Sequence, residues 1–380
     1  MSASTEETRE PDLLYTRTEE DLRAAVRSLL ADRCDASSVL ARVESGTPYE
    51  PRLWKSLAAD IGAAGLLVPE ELGGQGAGHR EAAVVLEELG RGVAPVPYLT
   101  SAVVATQTLL ALPAQDGPVA GLLGDLATGD RVAVLAVPFS VGPFAVGPGA
   151  ARPAGVRADG PQGAVTGVAD ATAADVLLVP AADGLYAVET GSGGVAVEPV
   201  VPLDLTRPLA TVTLARTAGT RLADGASSAA AVRRGLLAGA GLLASEQLGI
   251  AEWCLAETVR HTKERHQFNR PIGSFQGLKH RLAHLWLEVV SARAAARNAA
   301  DTLAADSPDA PLAVAIAKAY CSKAAVHAAE ECVQLHGGIG MTWEHPAHLY
   351  LKRAKADSLA YGTAGHHRAS VAGLVELPAP

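Results

Sequence analysis

The stretch SLAYGTAGHHR, residues 358–368, holds side chains that can carry protons, one phenol and two adjacent imidazoles. Within this stretch, Tyr361 is the candidate for a catalytic base. A free phenol has a pKa of about 10, so only about one part in a thousand is ionised at neutral pH, a handicap of roughly 4 kcal/mol. Tyr361 is therefore expected to be a poor base unless its surroundings lower its pKa strongly.

Histidine also binds transition metals, and His336 and the pair His366-His367 are the candidates in this chain. No Asp, Glu or Cys stands at ligand spacing on a common face with them, so we expect no metal. The four cysteines have no CxxC spacing, which indicates reduced thiols rather than a zinc site or a disulfide framework.

The string GAGLLA, which begins at Gly239, matches the GxGxxA form of a dinucleotide-binding fingerprint. The fingerprint works only where it follows a strand and opens a helix, whereas the preceding residues, AAAVRRGLLA, are themselves helical in pattern. We interpret the string as small residues that allow close helix packing.

The periodicity of apolar residues divides the chain into three parts. Spacings of three and four residues predict an N-terminal helical domain, residues 1–128. Short Val-rich runs such as VAVLAV and DVLLVPA predict a central β domain, residues 129–228. Long helical patterns predict a C-terminal four-helix bundle, residues 229–380. The expected fold class is α+β, with a β domain between two helical parts.

The charge of the chain bears on its partners. It has 32 Lys and Arg against 41 Asp and Glu, a formal net charge of −9, which disfavours binding to nucleic acid and to anionic membranes. The N-terminus is acidic and lacks the pattern of a secretory signal, and the longest uncharged run is broken by prolines and glycines. A cytoplasmic location without a membrane helix is expected.

Three motifs carry a resemblance when they are read together: RHQFNRPIGSFQGLKHRLA from Arg265, QLHGGIGMTWE from Gln334 and LLVPEELGGQG from Leu66. In this order they resemble the acyl-CoA dehydrogenase family, and the helix–β–helix layout extends the resemblance over nearly the whole chain. It implies a β-barrel-like central domain, and FAD extended along a subunit interface with the flavin between the β domain and the bundle. It also implies removal of the α-proton and β-hydride of an acyl thioester by a homo-oligomer.

The cofactor residues follow from the same resemblance. Arg265 and Phe268 of RHQF resemble the residues that hold the diphosphate and adenine parts of FAD from the neighbouring subunit, and Gln334, Gly337 and Gly338 resemble the other wall of that site. An arginine fork and the close backbone approach that a Gly-Gly pair allows suit a diphosphate. Taken alone, Arg265 is more simply a solvated helix end and Gly337-Gly338 a helix C-cap, and the other motifs favour the flavin site.

The chain departs from the family at the catalytic base. Relatives that end in Tyr-Glu-Gly-Thr use the glutamate as the base, and the shared Gly-Thr places Tyr361 at that position. The resemblance assigns Thr363 to the cofactor site. The backbone N–H of Tyr361 is expected to bond the thioester carbonyl, because that role needs no particular side chain.

A minority of the family carries the glutamate on the first long helix of the bundle, where this chain has Gly239. Glu246 lies seven residues further, on nearly the same helical face but about 10 Å away. It is either a relocated base or a buried structural carboxylate. The Thr-Glu-Pro…Gly-Ser-Asp loop of many relatives is also absent, and AVPFSVGPFAV stands in its place from Ala136.

Three functions remain open from the sequence. The chain is a self-sufficient FAD-dependent dehydrogenase of an acyl-CoA or acyl-carrier thioester, a non-catalytic subunit in a heterotetramer with a catalytic homologue, or a non-redox acyl-thioester-binding protein. In the first two an electron-transfer flavoprotein is the electron acceptor by resemblance. The loss of both glutamates is explained most simply by the second.

Overall fold

The N-terminal part of the chain is helical, as its periodicity predicts. The computed structural model describes residues 12–45, 47, 49–112, 117–145, 154–157 and 160–377. The helices of this part are α1 (Arg17–Arg33), α2 (Ala36–Glu44), α3 (Pro51–Lys55), α4 (His79–Gly92), α5 (Thr106–Leu110) and α6 (Gly117–Thr128). Helix α1 begins with a capping box, in which Thr16 accepts from the N–H of Glu19 and Glu19 accepts from the N–H of Thr16.

A π-helical segment, Tyr98–Ala105, leads directly into α5. All of its residues are buried, and Thr100 donates to the carboxylate of Asp170 at 2.7 Å, which ties the segment to the central region. π-Helical turns often occur at functional sites. This segment packs against the candidate site described below.

The central region consists of two four-stranded sheets. One has the strand order β1-β4-β5-β8, in which β1 and β4 are parallel and the other pairs antiparallel, and the second is antiparallel with the order β2-β3-β7-β6. The strands are β1 (Ala133–Leu135), β2 (Ala154–Arg157), β3 (Gly160–Ala169), β4 (Val176–Pro180), β5 (Gly184–Glu189), β6 (Val195–Val200), β7 (Leu209–Leu214) and β8 (Thr220–Asp224).

The C-terminal part is a bundle of long helices. Helix α7 (Gly225–Glu264) is followed by a hairpin of β9 (His266–Gln267) and β10 (Arg270–Pro271), and then by α8 (Gln276–Ala304), α9 (Ala310–His336), α10 (Ala347–Leu359) and α11 (Ala364–Leu374). The long helical patterns in this part of the sequence correspond to α7, α8 and α9, and α7 begins at Gly225, four residues before the predicted start of the bundle. None of the helices in the described ranges is long and apolar enough to cross a membrane.

Glycines let α7 approach its neighbours closely. A Cβ at Gly249 would lie 1.9 Å from the carbonyl oxygen of Glu87 on α4, and a Cβ at Gly90 would lie 2.1 Å from the carbonyl oxygen of Glu246. A Cβ at Gly241 would lie 2.7 Å from Leu303 of α8. The GAGLLA string lies inside α7, so the interpretation as a packing feature is confirmed.

Candidate active site

Tyr361 lies in the turn between α10 and α11. Its backbone is left-handed, with φ of 50°, and the next residue, Gly362, has φ of 99°. Lys318, a buried lysine on α9, donates to the carbonyl oxygens of Asp357 and Gly362 at 2.9 and 3.3 Å. Thr363 accepts from the N–H of His366 and so caps α11. The turn is held by contacts on both sides.

The backbone N–H of Tyr361 donates to the carbonyl oxygen of Phe139 at 2.8 Å. Phe139 lies just after β1, in the stretch that replaces the family loop. The expectation that this N–H bonds a thioester carbonyl is therefore wrong for this conformation, because the donor already has a partner.

The ring of Tyr361 fills the space between the two positions where the family carries its glutamate. A Cβ at Gly239 would lie 3.2 Å from Tyr361 Cε2 and 2.6 Å from Val104 of the π-helical segment, and Phe139 packs edge-on against the ring at 5.1 Å. The side chain is 3 % exposed. The remaining cavity, bordered also by Leu236, measures about 10 Å³, room for about one water molecule.

The surroundings of Tyr361 do not help it act as a base. Burial raises the pKa of its phenol well above the usual value of 10, and the carboxyl groups of Asp170, Glu246 and Asp357 raise it further against the opposing effect of Arg207. The phenol is therefore neutral, and its ring serves as a core side chain.

Glu246 is a buried member of an ion-pair network. Arg207 donates to its two oxygens at 3.0 and 2.7 Å, and Arg353 donates to Oε1 at 2.6 Å. Burial alone would raise the pKa of this carboxyl, but the two guanidinium groups hold it below its usual value. Both oxygens of Glu246 accept from arginines, which is the placement expected under the second alternative, a buried structural carboxylate.

The same network joins the central region to the bundle. Arg207 also donates to Asp357 of α10 at 2.6 Å, and Arg353 donates to Asp204 at 3.1 Å. Burial and the charge of Glu246 raise the pKa of Asp357 to about 7. Asp204 and Arg207 lie in the segment DLTR, which matches none of the motifs above. Their part in this network could therefore not be predicted from the sequence.

A cavity of about 290 Å³ lies beside this network, between the central sheets and α10. A bulge in β3 gives Gly167 a φ of 76°. The backbone N–H of Phe139 donates to the carbonyl oxygen of Gly167 at 2.8 Å. The cavity is lined on the sheet side by Pro138, Phe139, Ser140, Thr166, Gly167 and Arg207, and on the helix side by Ala356, Leu359 and Ala360.

Five of the six predicted cofactor residues lie together at the far end of α7 and α9, whereas Thr363 lies apart from them, at the start of α11. Arg265 follows the last residue of α7 and is exposed, and Phe268 at the tip of the β9–β10 hairpin is 86 % exposed. Gln334, Gly337 and Gly338 are exposed at the end of α9. The two ends are linked by the His261 and His336 rings, whose centroids lie 4.1 Å apart.

These residues fit a dinucleotide. Apart from the adjoining chain, no heavy atom of the described residues lies within 4 Å of a Cβ built on Gly337 or Gly338, which leaves room for a phosphate to approach the backbone. Arg265 is 26 residues from Gly239 along α7, about 39 Å at 1.5 Å per residue. The motifs therefore lie far from the cavity beside Tyr361 in the same chain, in accord with a cofactor shared between two subunits.

Comparison with known proteins shows which protein family the chain is similar to. The acyl-CoA dehydrogenase N-terminal domain model matches residues 16–116, and the C-terminal domain model matches residues 229–375. Acyl-CoA dehydrogenase IpdE2 of Mycobacterium tuberculosis is 37 % identical over 334 residues, covering 88 % of this chain and 89 % of the relative. The chain belongs to the acyl-CoA dehydrogenase family.

Solved structures agree with this assignment. A chain of the ChsE4-ChsE5 complex from M. tuberculosis superposes with a TM-score of 0.84 at 30 % identity, covering 97 % of this chain and all of that one. A glutaryl-CoA dehydrogenase from Mycobacterium smegmatis in complex with FADH2 has the same fold, with a TM-score of 0.83 at 22 % identity, covering 97 % of this chain and 96 % of that one. The chain is thus a flavoprotein oxidoreductase of a lipid-metabolism family, with FAD as its cofactor.

Proposed function

We propose that this chain is a subunit of a mixed acyl-CoA dehydrogenase complex that introduces an α,β double bond into an acyl-CoA thioester. In the complex it supplies cofactor-binding residues, and a homologous partner chain supplies the catalytic base. The observation that supports this proposal is the filling of the acyl site, in which Tyr361 packs on Gly239 and leaves a cavity of only about 10 Å³.

The titratable groups around this site support a partner-dependent role. Tyr361 is neutral, for the reasons given above, and a neutral phenol is a poor proton acceptor at neutral pH. Using Glu246 as the base would require it to leave two arginines that are themselves buried. Breaking a buried ion pair in this way costs about 3–5 kcal/mol.

When bound, FAD supplies the acceptor for the β-hydride. Arg265 would hold the diphosphate through its guanidinium fork, and the backbone at Gly337 and Gly338 would allow close approach. Phe268, exposed at the hairpin tip, offers a ring on which an adenine could stack. The cavity between Phe139 and α10, with Thr363 in the following turn, would enclose the flavin end of a second cofactor molecule.

The partner is a homologous chain. The solved relative ChsE4-ChsE5 is a complex by its name, and we extend that arrangement to this chain as a proposal. The acyl group is carried on coenzyme A or on a carrier protein, and an electron-transfer flavoprotein accepts the electrons, as the family resemblance implies.

Visible spectroscopy tests the proposal directly. The chain is purified alone and together with a co-expressed homologous chain that carries the glutamate, and each sample is mixed with a panel of acyl-CoA thioesters. Loss of the flavin absorbance only in the mixed complex is the expected result. Bleaching by the lone chain would establish self-sufficient catalysis instead, and no bleaching in either sample would favour a non-redox acyl-thioester-binding protein.

A pair of arginine variants tests the cofactor assignment. Arg265→Ala in the mixed complex should lower the flavin content, because the diphosphate loses its charged partner. Arg17→Ala is the matched control, since Arg17 is 95 % exposed on α1. Equal flavin content in the two variants would refute the role of Arg265.

A further inference from the structure

Three metal-ligand side chains converge at the end of the bundle that carries the cofactor motifs. They are Glu257 on α7, His336 at the end of α9, and His345 in the segment before α10. Glu257 Oε1 lies 3.3 Å from His345 Nε2 and 3.7 Å from His336 Nε2, and the three ligand atoms lie within 4.8 Å of one another. Ligands of a tetrahedral zinc ion are about 3.3 Å apart, so small shifts would suffice.

His336 is oriented as a metal ligand would be. Its Nδ1 lies 2.7 Å from the carbonyl oxygen of Cys332, so Nδ1 carries the proton and Nε2 keeps its lone pair. Metal-binding histidines commonly donate their other N–H to a backbone carbonyl in this way. The side chain is 1 % exposed, and Nε2 has no hydrogen-bond partner in the part of the chain that the structure describes. An unpartnered buried acceptor destabilises the folded protein, so a ligand for this nitrogen would be favourable.

Glu257 supplies the negative charge. Arg260 bonds both oxygens of Glu257, but its side chain is 55 % exposed and also reaches Glu264 at 2.5 Å. The arginine can therefore turn towards Glu264 and leave one oxygen of Glu257 to a cation.

His345 sets the energetic cost of binding. In the described conformation its Nδ1 accepts from the N–H of Ala347 at 3.2 Å, so its Nε2 carries the proton that points at Glu257. Coordination through Nε2 moves that proton to Nδ1 and breaks the Ala347 contact. The loss of this one neutral hydrogen bond is offset by the partner that the buried Nε2 of His336 gains.

We propose that Glu257, His336 and His345 bind one divalent transition-metal ion of the zinc class. Two imidazoles and one carboxylate suit Zn²⁺ and Co²⁺ rather than Mg²⁺ or Ca²⁺, which prefer oxygen ligands. The ion would join the last turns of α7, which Arg265 follows, to the end of α9, which Gly337 follows. The sequence singles out His336 as a candidate ligand but not Glu257 or His345, because the three residues come from separate segments that only the fold brings together.

Metal titration of the purified holoprotein without a polyhistidine tag tests the proposal. Zn²⁺ binding is followed by isothermal titration calorimetry and Co²⁺ binding by visible absorption, with Mg²⁺ as the control ion. The expected result is one Zn²⁺ or Co²⁺ per chain. His345→Asn and Glu257→Gln should each weaken binding more than about tenfold, because each removes one of three ligands.

His348→Asn is the matched control. His348 lies three residues after His345, outside the cluster, and should leave binding unchanged. Absence of stoichiometric binding by the unaltered protein would overturn the proposal, as would equal binding by the three variants. Circular dichroism of each variant without metal shows that it is folded, and flavin content measured on the same samples keeps this result separate from the proposed function.

Discussion

The side chain of Tyr361 fills the candidate active site while the surrounding backbone keeps the family fold. The residue has a left-handed backbone, donates its N–H to Phe139 and is covered by Val104 and Gly239. Its backbone oxygen is paired with the His367 ring at 2.9 Å, but among the described residues its hydroxyl has no hydrogen-bond partner. The ring is therefore held by packing, and its stability contribution should come from the ring rather than from the hydroxyl.

Two substitutions at Tyr361 separate these contributions. Tyr361→Phe should change the free energy of unfolding by less than about 1 kcal/mol, since no described hydrogen bond is lost. Tyr361→Ala should lower it by about 3–5 kcal/mol, because it leaves a large cavity in the core. Urea denaturation measures both values. A large loss in the Phe variant would show that the hydroxyl has a partner.

The raised pKa of Asp357 predicts that the free energy of unfolding depends on pH. Its pKa is raised from 3.8 to about 7, so the folded state holds a proton that the unfolded state releases. The stabilising contribution is complete below about pH 4 and is lost as the pH rises to about 7. Asp357→Asn should remove this loss, so the variant gains stability relative to the unaltered protein across that range.

The measurement is urea denaturation at a series of pH values between 4 and 8. Asp21→Asn is the control, because Asp21 is 77 % exposed and its substitution should leave the profile unchanged. Parallel profiles for the Asp357 variant and the unaltered protein would contradict the assignment of this proton to Asp357.

At the scale of elements, helix α7 organises the site. It passes the π-helical segment at Gly239, crosses α4 at Gly249 and ends at the cofactor hairpin. The crossing with α4 is close enough that main-chain atoms of the two helices are in contact. A side chain at Gly249 would clash with the backbone of α4, so the helix itself would have to move, because no side-chain rotation could relieve the clash.

A matched pair of glycine substitutions tests this packing. Gly249→Ala should destabilise the protein by at least about 1–3 kcal/mol, because the new methyl group meets the carbonyl oxygen of Glu87 at 1.9 Å. Gly121→Ala on α6 meets nothing within 4 Å and should stabilise the helix by about 0.5–1 kcal/mol. Thermal and urea unfolding compare the two. Similar effects would mean that α7 and α4 are less tightly packed.

The helices and their order could be predicted from the sequence because long apolar periodicity has few alternatives. The direction of the Tyr361 ring could not, since it depends on a left-handed turn and on Gly239 more than a hundred residues earlier. The partners of Glu246 were equally hidden, because Arg207 and Arg353 reach it from different domains. Contacts between distant segments leave no local pattern.

At the scale of the whole molecule, the bundle has exposed apolar side chains and a large groove between α8, α9 and α11. Trp286 and Leu287 of α8 are 55 % and 54 % exposed, and Ile316 of α9 is 45 % exposed. The groove measures about 700 Å³ and is bordered by Ile316, Tyr320 and, from α11, Val371. Exposed apolar patches of this kind mark protein–protein interfaces, so this face is where we expect the partner subunit.

Charge placed in the groove should therefore disrupt assembly. Ile316→Glu should shift the mixed complex towards smaller species in size-exclusion chromatography with light scattering, because a carboxylate would be buried at the interface. Val201→Glu is the control, since Val201 is 94 % exposed in the central region. Unchanged assembly of the Ile316 variant would place the interface elsewhere.

The distance of about 39 Å along α7 between Gly239 and Arg265 affects how mutations in the genes of the two subunits would act. In a mixed complex the arginine of this chain would serve the partner's open pocket, and the partner's arginine would serve the closed pocket here. A mutation of Arg265 would then abolish turnover although this chain performs no chemistry, while the equivalent mutation in the partner's gene would be tolerated. Two such genes would be selected as one unit, because neither alone encodes a complete active site.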